Sequence, residues 1–103
     1  MCYKSLETIV KNSTNIVFFG GAGVSTESCI PDFRSAQGLY NVKNDLKFSP
    51  EVILSHSFFI NHTEEFFKFY KTNMIFTDAL PNAAHIALSK LENKNKLKAI
   101  ITQ

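Results

Sequence analysis

The chain has 103 residues, of which 45% are hydrophobic and 13% aromatic, a composition that favours one packed domain and excludes a disordered segment. Its net charge of +2 comes from interspersed charges of both signs, whereas nucleic-acid-binding proteins carry clustered basic residues. We therefore expect no nucleic-acid partner. Cys2 and Cys29 form no CxxC pair, which fits a reduced, cytoplasmic setting. No apolar stretch approaches the roughly 18 residues of a membrane span, so we expect a soluble protein without a membrane partner.

The first part of the chain has the pattern of a helix, a strand and a glycine turn. Apolar residues spaced by three and four over positions 6–10 predict a helix, and the polar residues 12–15 end it. The continuous β-branched and aromatic run over 16–19 predicts a strand that is buried on both faces. Glycines follow within 20–23, and 24–28 could begin a short helix. This order is typical of the start of a dinucleotide-binding unit.

The middle of the chain predicts an irregular loop followed by helices. No periodicity extends over 29–48, which indicates a long loop. A capping serine, proline and acidic residue at 49–51 predict a helix start. Another helix is predicted from Thr63, with an apolar face that we interpret as core, formed by Phe66, Phe67, Phe69, Tyr70 and Met74.

The last part of the chain predicts a third helix and a second strand. The helix opens at Pro81-Asn82, and the strand occupies 97–101. A strand, crossover helices and a strand imply a parallel pair. We therefore predict an α/β fold with a partial Rossmann-like parallel sheet and a helical excursion over about 41–80.

The glycine turn has the composition of a phosphate-binding loop. Such a loop needs inward backbone N–H groups without obstructing side chains, and Gly21, Ala22 and Gly23 meet this need. The spacing departs from GxGxxG because Thr26 occupies the third glycine position. Considered alone, the loop is equally consistent with a structural tight turn.

A longer stretch carries a specific resemblance. Residues 21–35 read GAGVSTESCIPDFRS, which resembles the sirtuin signature of a GAG turn, a serine and SGIPDFR. Further along the chain, 38–40 (GLY), 81–85 (PNAAH) and 101–103 (ITQ) resemble the family's G-L-[WY], P-N-x-x-H and the beginning of TQNIDGLH. The resemblance covers nearly the whole chain but only the first part of a sirtuin catalytic domain.

The resemblance implies an NAD-dependent protein-lysine deacylase and a set of cofactor-binding residues. The glycine turn with its serine and threonine would line the phosphates and ribose, and the following loop would border nicotinamide and cover the reactive sugar. Arginine and the final glutamine would contact the cofactor. The implied residues are Gly21, Ala22, Gly23, Ser25, Thr26, Ile30, Asp32, Phe33, Arg34 and Gln103. An ion pair between Asp32 and Arg34 is the structural alternative for those two residues.

The sequence also departs from the family pattern. Cys29 replaces a glycine, and we expect strain if that position needs a positive φ. An inert side chain and a reactive thiol both remain open for it. His56, His62 and His85 match no catalytic motif, and we interpret them as surface or packing residues.

We therefore predict that 1–103 is the N-terminal portion of a sirtuin-type NAD-binding domain, truncated, with no catalytic residue and inactive alone. The zinc-binding small domain is absent, and zinc is expected only in a complete family member. Its partners would be NAD or ADP-ribose, and an acyl-lysine protein in the complete enzyme. Uncovered sheet faces would make the isolated chain self-associate. The alternatives are a non-catalytic nucleotide-binding or interaction module, and a sirtuin-like NAD hydrolase or ADP-ribosyltransferase.

Overall fold

A computed structural model of the chain describes residues 3–43 and 47–102. The expectation for Gln103 lies outside these ranges. Residue contacts divide the chain into two compact units, Met1–Val24 with Pro81–Gln103, and Ser25–Leu80. The helices and strands are α1 (Tyr3–Asn12), β1 (Ile16–Gly20), α2 (Pro50–Ile53), α3 (His56–Asn61), α4 (Thr63–Asn73), α5 (Ala83–Asn93) and β2 (Leu97–Thr102), with 3₁₀ helices at Ala22–Ser28 and Leu39–Asn41.

The first unit contains a parallel strand pair. Strands β1 and β2 are hydrogen-bonded in parallel, with Val17 opposite Ala99 and Phe19 opposite Ile101. The register shifts between Ile16 and Val17, where one strand carries an irregularity. Both predicted strands and their parallel direction are confirmed.

Side chains and turns of the first unit terminate its two helices. The Lys96 ammonium donates to the carbonyl oxygens of Val10, Lys11 and Ser13, at 3.1, 2.6 and 3.2 Å, and so satisfies the C-terminal end of α1. Helix α5 ends at Asn93, and Asn95, two residues further on, has a left-handed φ of 57°. The Asn95 and Lys96 amides then donate back to the carbonyls of Glu92 and Leu91, at 2.8 and 3.0 Å. A single lysine therefore links the end of α5 to the end of α1.

The sheet of the first unit keeps much apolar surface exposed. Val17 and Phe19, on one face of β1, are 57% and 71% exposed, and Ile100 and Ile101 of β2 are about half exposed. The expectation that β1 is buried on both faces was therefore wrong for the described residues, because β1 pairs only with β2 and no element covers the Val17 and Phe19 side chains. Exposure of this extent is unfavourable for such apolar residues. Self-association of the isolated chain stays a prediction that this surface supports.

Serine caps begin two helices of the second unit. The Ser49 hydroxyl accepts from the Val52 amide at 3.4 Å, with Pro50 at the first helical position, which confirms the predicted start of α2. Ser55 caps α3 in the same way, a helix that the sequence analysis did not predict. The opening helix and the helices beginning near positions 63 and 82 are confirmed by α1, α4 and α5.

The core of the second unit is small and lies between its helices. Ile53, Phe58 and Phe69 are buried, with Leu54 and Phe66 packed against them.

The expectation that the whole aromatic face of α4 forms core was wrong for Phe67 and Tyr70, which are 42% and 37% exposed. The aromatic residues of α4 occupy more of its circumference than α2 and α3 cover. The uncovered rings contact one another edge to face.

Two further observations limit what the described residues contain. No helix within 3–43 and 47–102 is long and apolar enough to cross a membrane. Over the same ranges, no group of three or more His, Cys, Asp or Glu is placed to hold a metal ion.

Candidate functional site

The glycines that follow β1 differ in what the protein requires of them. At Gly20, which is buried, an added Cβ would lie 2.5 Å from Phe18 Cε1 and 3.3 Å from Val24 Cγ2. Internal packing therefore explains glycine at this position, because a side chain would displace the Phe18 ring.

No internal packing explains Gly21 and Gly23. An added Cβ at either residue would meet no atom of the described chain within 4 Å, and neither has a positive φ. Glycine is otherwise retained where a ligand or another backbone must approach closely. The open space beside these two residues is therefore where a bound molecule could contact the backbone.

The turn is connected to the start of α5 by Asn82. Its side-chain oxygen accepts from the amides of Ala84 and His85, at 3.0 and 3.5 Å, and its Nδ2 donates to the carbonyl of Val24 at 2.8 Å. His85 Nδ1 in turn accepts from the Asn82 amide at 3.2 Å, which completes a capping box. The P-N-x-x-H pattern thus has a structural explanation, and His85 has a capping role.

In the second unit, the loop that contains Asp32 is closed by hydrogen bonds. The Asp32 carboxylate accepts from both the amide and the hydroxyl of Ser35. Its backbone carbonyl accepts from the Leu39 amide at 2.7 Å, and the Phe33 carbonyl accepts from the Tyr40 amide at 2.8 Å. The loop is therefore folded onto the 3₁₀ helix that follows it.

Gly38 allows this closure. An added Cβ there would lie 2.6 Å from the Phe33 carbonyl carbon and oxygen and 2.8 Å from Asp32 Oδ1. Its φ of −73° is accessible to any residue, so steric crowding alone requires glycine.

Tyr40 holds the aromatic and basic residues of the loop. Its ring centroid lies 5.4 Å from that of Phe33, and the Arg34 guanidinium carbon lies 5.4 Å from the same centroid. Arg34 is thus in cation–π contact with Tyr40, while Asp32 bonds to Ser35. Asp32 and Arg34 therefore each contact a different partner, and the structure favours this arrangement over an ion pair between them.

A cleft of about 330 Å³ lies beside the loop within the second unit. It is lined by Thr26, Cys29, Ile30, Pro31, Asp32, Ser35 and Gln37. The cleft therefore brings together three of the predicted cofactor-binding residues, Thr26, Ile30 and Asp32.

Cys29 adopts the conformation for which glycine is normally used. Its φ is 61°, it is exposed, and its thiol is free. A left-handed conformation costs a non-glycine residue about 1–2 kcal/mol. The expected strain at this position is therefore present.

Comparisons with known proteins identify the chain's relatives. Residues 21–103 match the model of the Sir2 family. The chain belongs to the Sir2 family. It is 65% identical over 98 residues to an NAD-dependent protein deacetylase of Clostridium acetobutylicum, covering 95% of this chain and 40% of that protein. It is 66% identical over 100 residues to a protein of the same name from Clostridium tetani, covering 97% of this chain and 40% of that protein.

Solved structures of Sir2 proteins are similar in fold. One, of a Sir2 variant with a deacetylated p53 peptide and 3′-O-acetyl-ADP-ribose, has a TM-score of 0.82 and 41% identity, covering 100% of this chain and 40% of that one. Another, of Sir2 with a p53 peptide and NAD⁺, has a TM-score of 0.77 and 38% identity, covering 100% and 38%. The α/β fold with a parallel strand pair is therefore that of part of a Sir2 protein. The chain spans about 40% of the length of the relatives it matches.

The candidate residues of this Sir2 chain are divided between its two units. Gly21, Ala22 and Gly23 belong to the first unit, and the others that the structure describes belong to the second, namely Ser25, Thr26, Ile30, Asp32, Phe33 and Arg34. Sequence reasoning gave Tyr40 no role and placed Asn82 only at the start of a helix, without its bond to the Val24 carbonyl. The partners of Tyr40 lie across a loop and Val24 lies 58 positions from Asn82, so a local pattern gives no signal for these contacts.

Proposed function

We propose that this chain supplies cofactor-binding residues of an NAD-dependent protein-lysine deacylase. The observation that carries the proposal is the open space beside Gly21 and Gly23, where glycine is required neither by backbone φ nor by internal packing. A dinucleotide needs such a surface, because its phosphates accept hydrogen bonds from backbone N–H groups only if no side chain intervenes. The names of the curated relatives agree with this assignment.

The residues of the second unit would act on the rest of the cofactor. Ser25 and Thr26 would contact phosphate and ribose, and Ile30 and Asp32 would border nicotinamide. Asp32 is suited to this role because Ser35 fixes its carboxylate. The cleft beside Thr26, Ile30 and Asp32 supports their assignment as ligand contacts.

Phe33 and Arg34 would complete the set, with Gln103 contacting the nicotinamide ribose. Tyr40 holds both the Phe33 ring and the Arg34 guanidinium, so each has a defined direction before a ligand arrives. The planar guanidinium is a permanent donor to phosphate, and the Phe33 ring would exclude water from the reacting sugar.

NAD, when bound, would supply the ADP-ribosyl group that accepts the acyl group of a lysine. This chain's own residues bind and orient, and we propose that the 103 residues alone are inactive. His85 is engaged in the capping box, and His62 stacks on Phe58 with ring centroids 4.8 Å apart. A general base contributes typically about 10²–10⁴-fold, so we expect at least that loss without one.

Titration of NAD and ADP-ribose into the full-length protein, by calorimetry, tests the proposal. We expect saturable binding to the wild type and weaker binding to Gly21→Ala and Gly23→Ala. Neither added methyl group meets another atom of the described chain. The free energy of unfolding of both variants, measured in a thermal melt, should therefore stay within about 0.5 kcal/mol of the wild-type value. A wild type that binds neither ligand, or alanine variants that bind equally well, would exclude the assignment.

Product analysis separates the proposed deacylase from a sirtuin-like NAD hydrolase or ADP-ribosyltransferase. With an acetyl-lysine peptide and NAD, a deacylase forms O-acetyl-ADP-ribose, a hydrolase forms free ADP-ribose, and a transferase yields a modified protein. We expect the first product from the full-length protein and none from residues 1–103.

A further inference from the structure

The Asn82 side chain contacts two different parts of the first unit. Its oxygen caps α5 by accepting from the Ala84 and His85 amides. Its nitrogen faces the other way and donates to the Val24 carbonyl at 2.8 Å, across 58 positions of sequence. The two functions use different atoms, so they can be separated by substitution.

Val24, whose carbonyl accepts this bond, directly follows the glycine turn and lies in the 3₁₀ helix Ala22–Ser28. The Val24 amide donates to the Gly21 carbonyl at 3.2 Å and so closes the turn. Gly21 and Gly23 have no side chains to pack, and glycine has the largest conformational freedom of any residue. The position of the turn must therefore come from bonds to its backbone, and Asn82 provides one from the start of α5.

We propose that Asn82 is a positioning residue for the cofactor: by holding the Val24 carbonyl, it fixes the glycine turn in the conformation that binds the phosphates of NAD. This inference rests on the proposed function. Asn82 acts without touching the ligand, by lowering the entropy that the turn loses when the ligand binds. A residue that serves only as a helix cap would stabilise α5 and leave NAD affinity unchanged.

Two substitutions separate these roles. Asn82→Ser and Asn82→Asp both keep an oxygen that caps α5, since serine and aspartate are favoured at this position. Both remove the amide donor to Val24: serine is too short to reach it, and an aspartate oxygen cannot donate. Serine introduces no charge, so it controls for repulsion between an aspartate and the phosphates.

The measurement is the Kd of NAD for the full-length protein, by calorimetry, together with far-UV circular dichroism and the KM for an acetyl-lysine peptide. We expect both variants to raise the Kd about three- to tenfold, as loss of one hydrogen bond would, with helix content and peptide KM unchanged.

Each other outcome overturns either the inference or the proposed function. Variants with a wild-type Kd would show that Asn82 is only a cap. An effect confined to aspartate that disappears at high salt would assign the loss to charge. Loss of helix content alongside the weaker binding would make the cap the cause. A wild type that does not bind NAD would instead overturn the proposed function.

Discussion

Replacing Cys29 by glycine should stabilise the protein. The residue has a φ of 61°, which costs a side chain with a Cβ about 1–2 kcal/mol, and glycine removes that cost. Glycine also raises the conformational entropy of the unfolded chain, which lowers the gain in folding stability by about 0.4–1 kcal/mol. The net expectation is a gain of about 0.5–1 kcal/mol, or a rise in Tm of about 2–8 °C for a domain of this size.

The assay is a thermal melt at matched protein concentration, with Cys29→Ala as control. Alanine removes the thiol but keeps the Cβ, so it should gain nothing. Asn95→Gly is a second control, because asparagine tolerates its φ of 57° better than cysteine does and the gain should be smaller.

A local measurement adds to the melt. The Ile30 amide, which donates to the Ser25 carbonyl at 3.2 Å, should exchange its hydrogen more slowly in Cys29→Gly. If the glycine variant melts no higher than the alanine variant, the argument from backbone strain is refuted.

Three further predictions concern contacts elsewhere in the chain. Gly38→Ala should destabilise the second unit by about 1–3 kcal/mol in a thermal melt, because its methyl group would overlap backbone atoms. The control is Gly23→Ala, whose methyl group meets no described atom and should not destabilise the protein. Equal stability of the two variants would contradict this prediction. Lys96→Met should destabilise α1 by about 1–2 kcal/mol, because it removes charged hydrogen bonds to three carbonyls, and the α1 amides should exchange their hydrogens faster. The control is Lys98→Met, which loses only one such bond. Equal exchange rates in both variants would disprove the capping role. Phe19→Lys should reduce self-association of residues 1–103 in size-exclusion chromatography, because Phe19 is 71% exposed on the sheet face. Elution of the wild-type residues 1–103 as a monomer would contradict the expected self-association.

The tertiary structure changed the interpretation of residues that the sequence analysis had already identified. The 29–48 segment has no periodicity, so its 3₁₀ helix at Leu39–Asn41 and its closure through Gly38 were not predictable. The pairing of Arg34 with Tyr40 depends on that closure, and the alternative of an ion pair with Asp32 could not be decided beforehand.

Local features of the sequence were sufficient for α1, the start of α2, α4, α5, both strands and the position of the glycine turn, but not for α3. A hydroxyl three residues before an amide, proline at a first helical position and a β-branched run act through neighbours in the chain, so Ser49, Pro50 and 16–19 could be interpreted without the fold. Family resemblance marked position 29 as one where glycine would allow a positive φ or a close backbone approach, and the structure shows the positive φ.

Only the tertiary structure could show why individual residues are required. The sequence shows the same residue type at four positions that the structure treats differently. Neighbouring atoms crowd Gly20 and Gly38, whereas Gly21 and Gly23 face open space. Asn82 reaches Val24 across 58 positions, and Lys96 reaches Ser13 across 83. The physical reason is that steric approach and hydrogen bonding depend on which atoms lie close together in space, and folding brings together atoms that sequence spacing keeps apart.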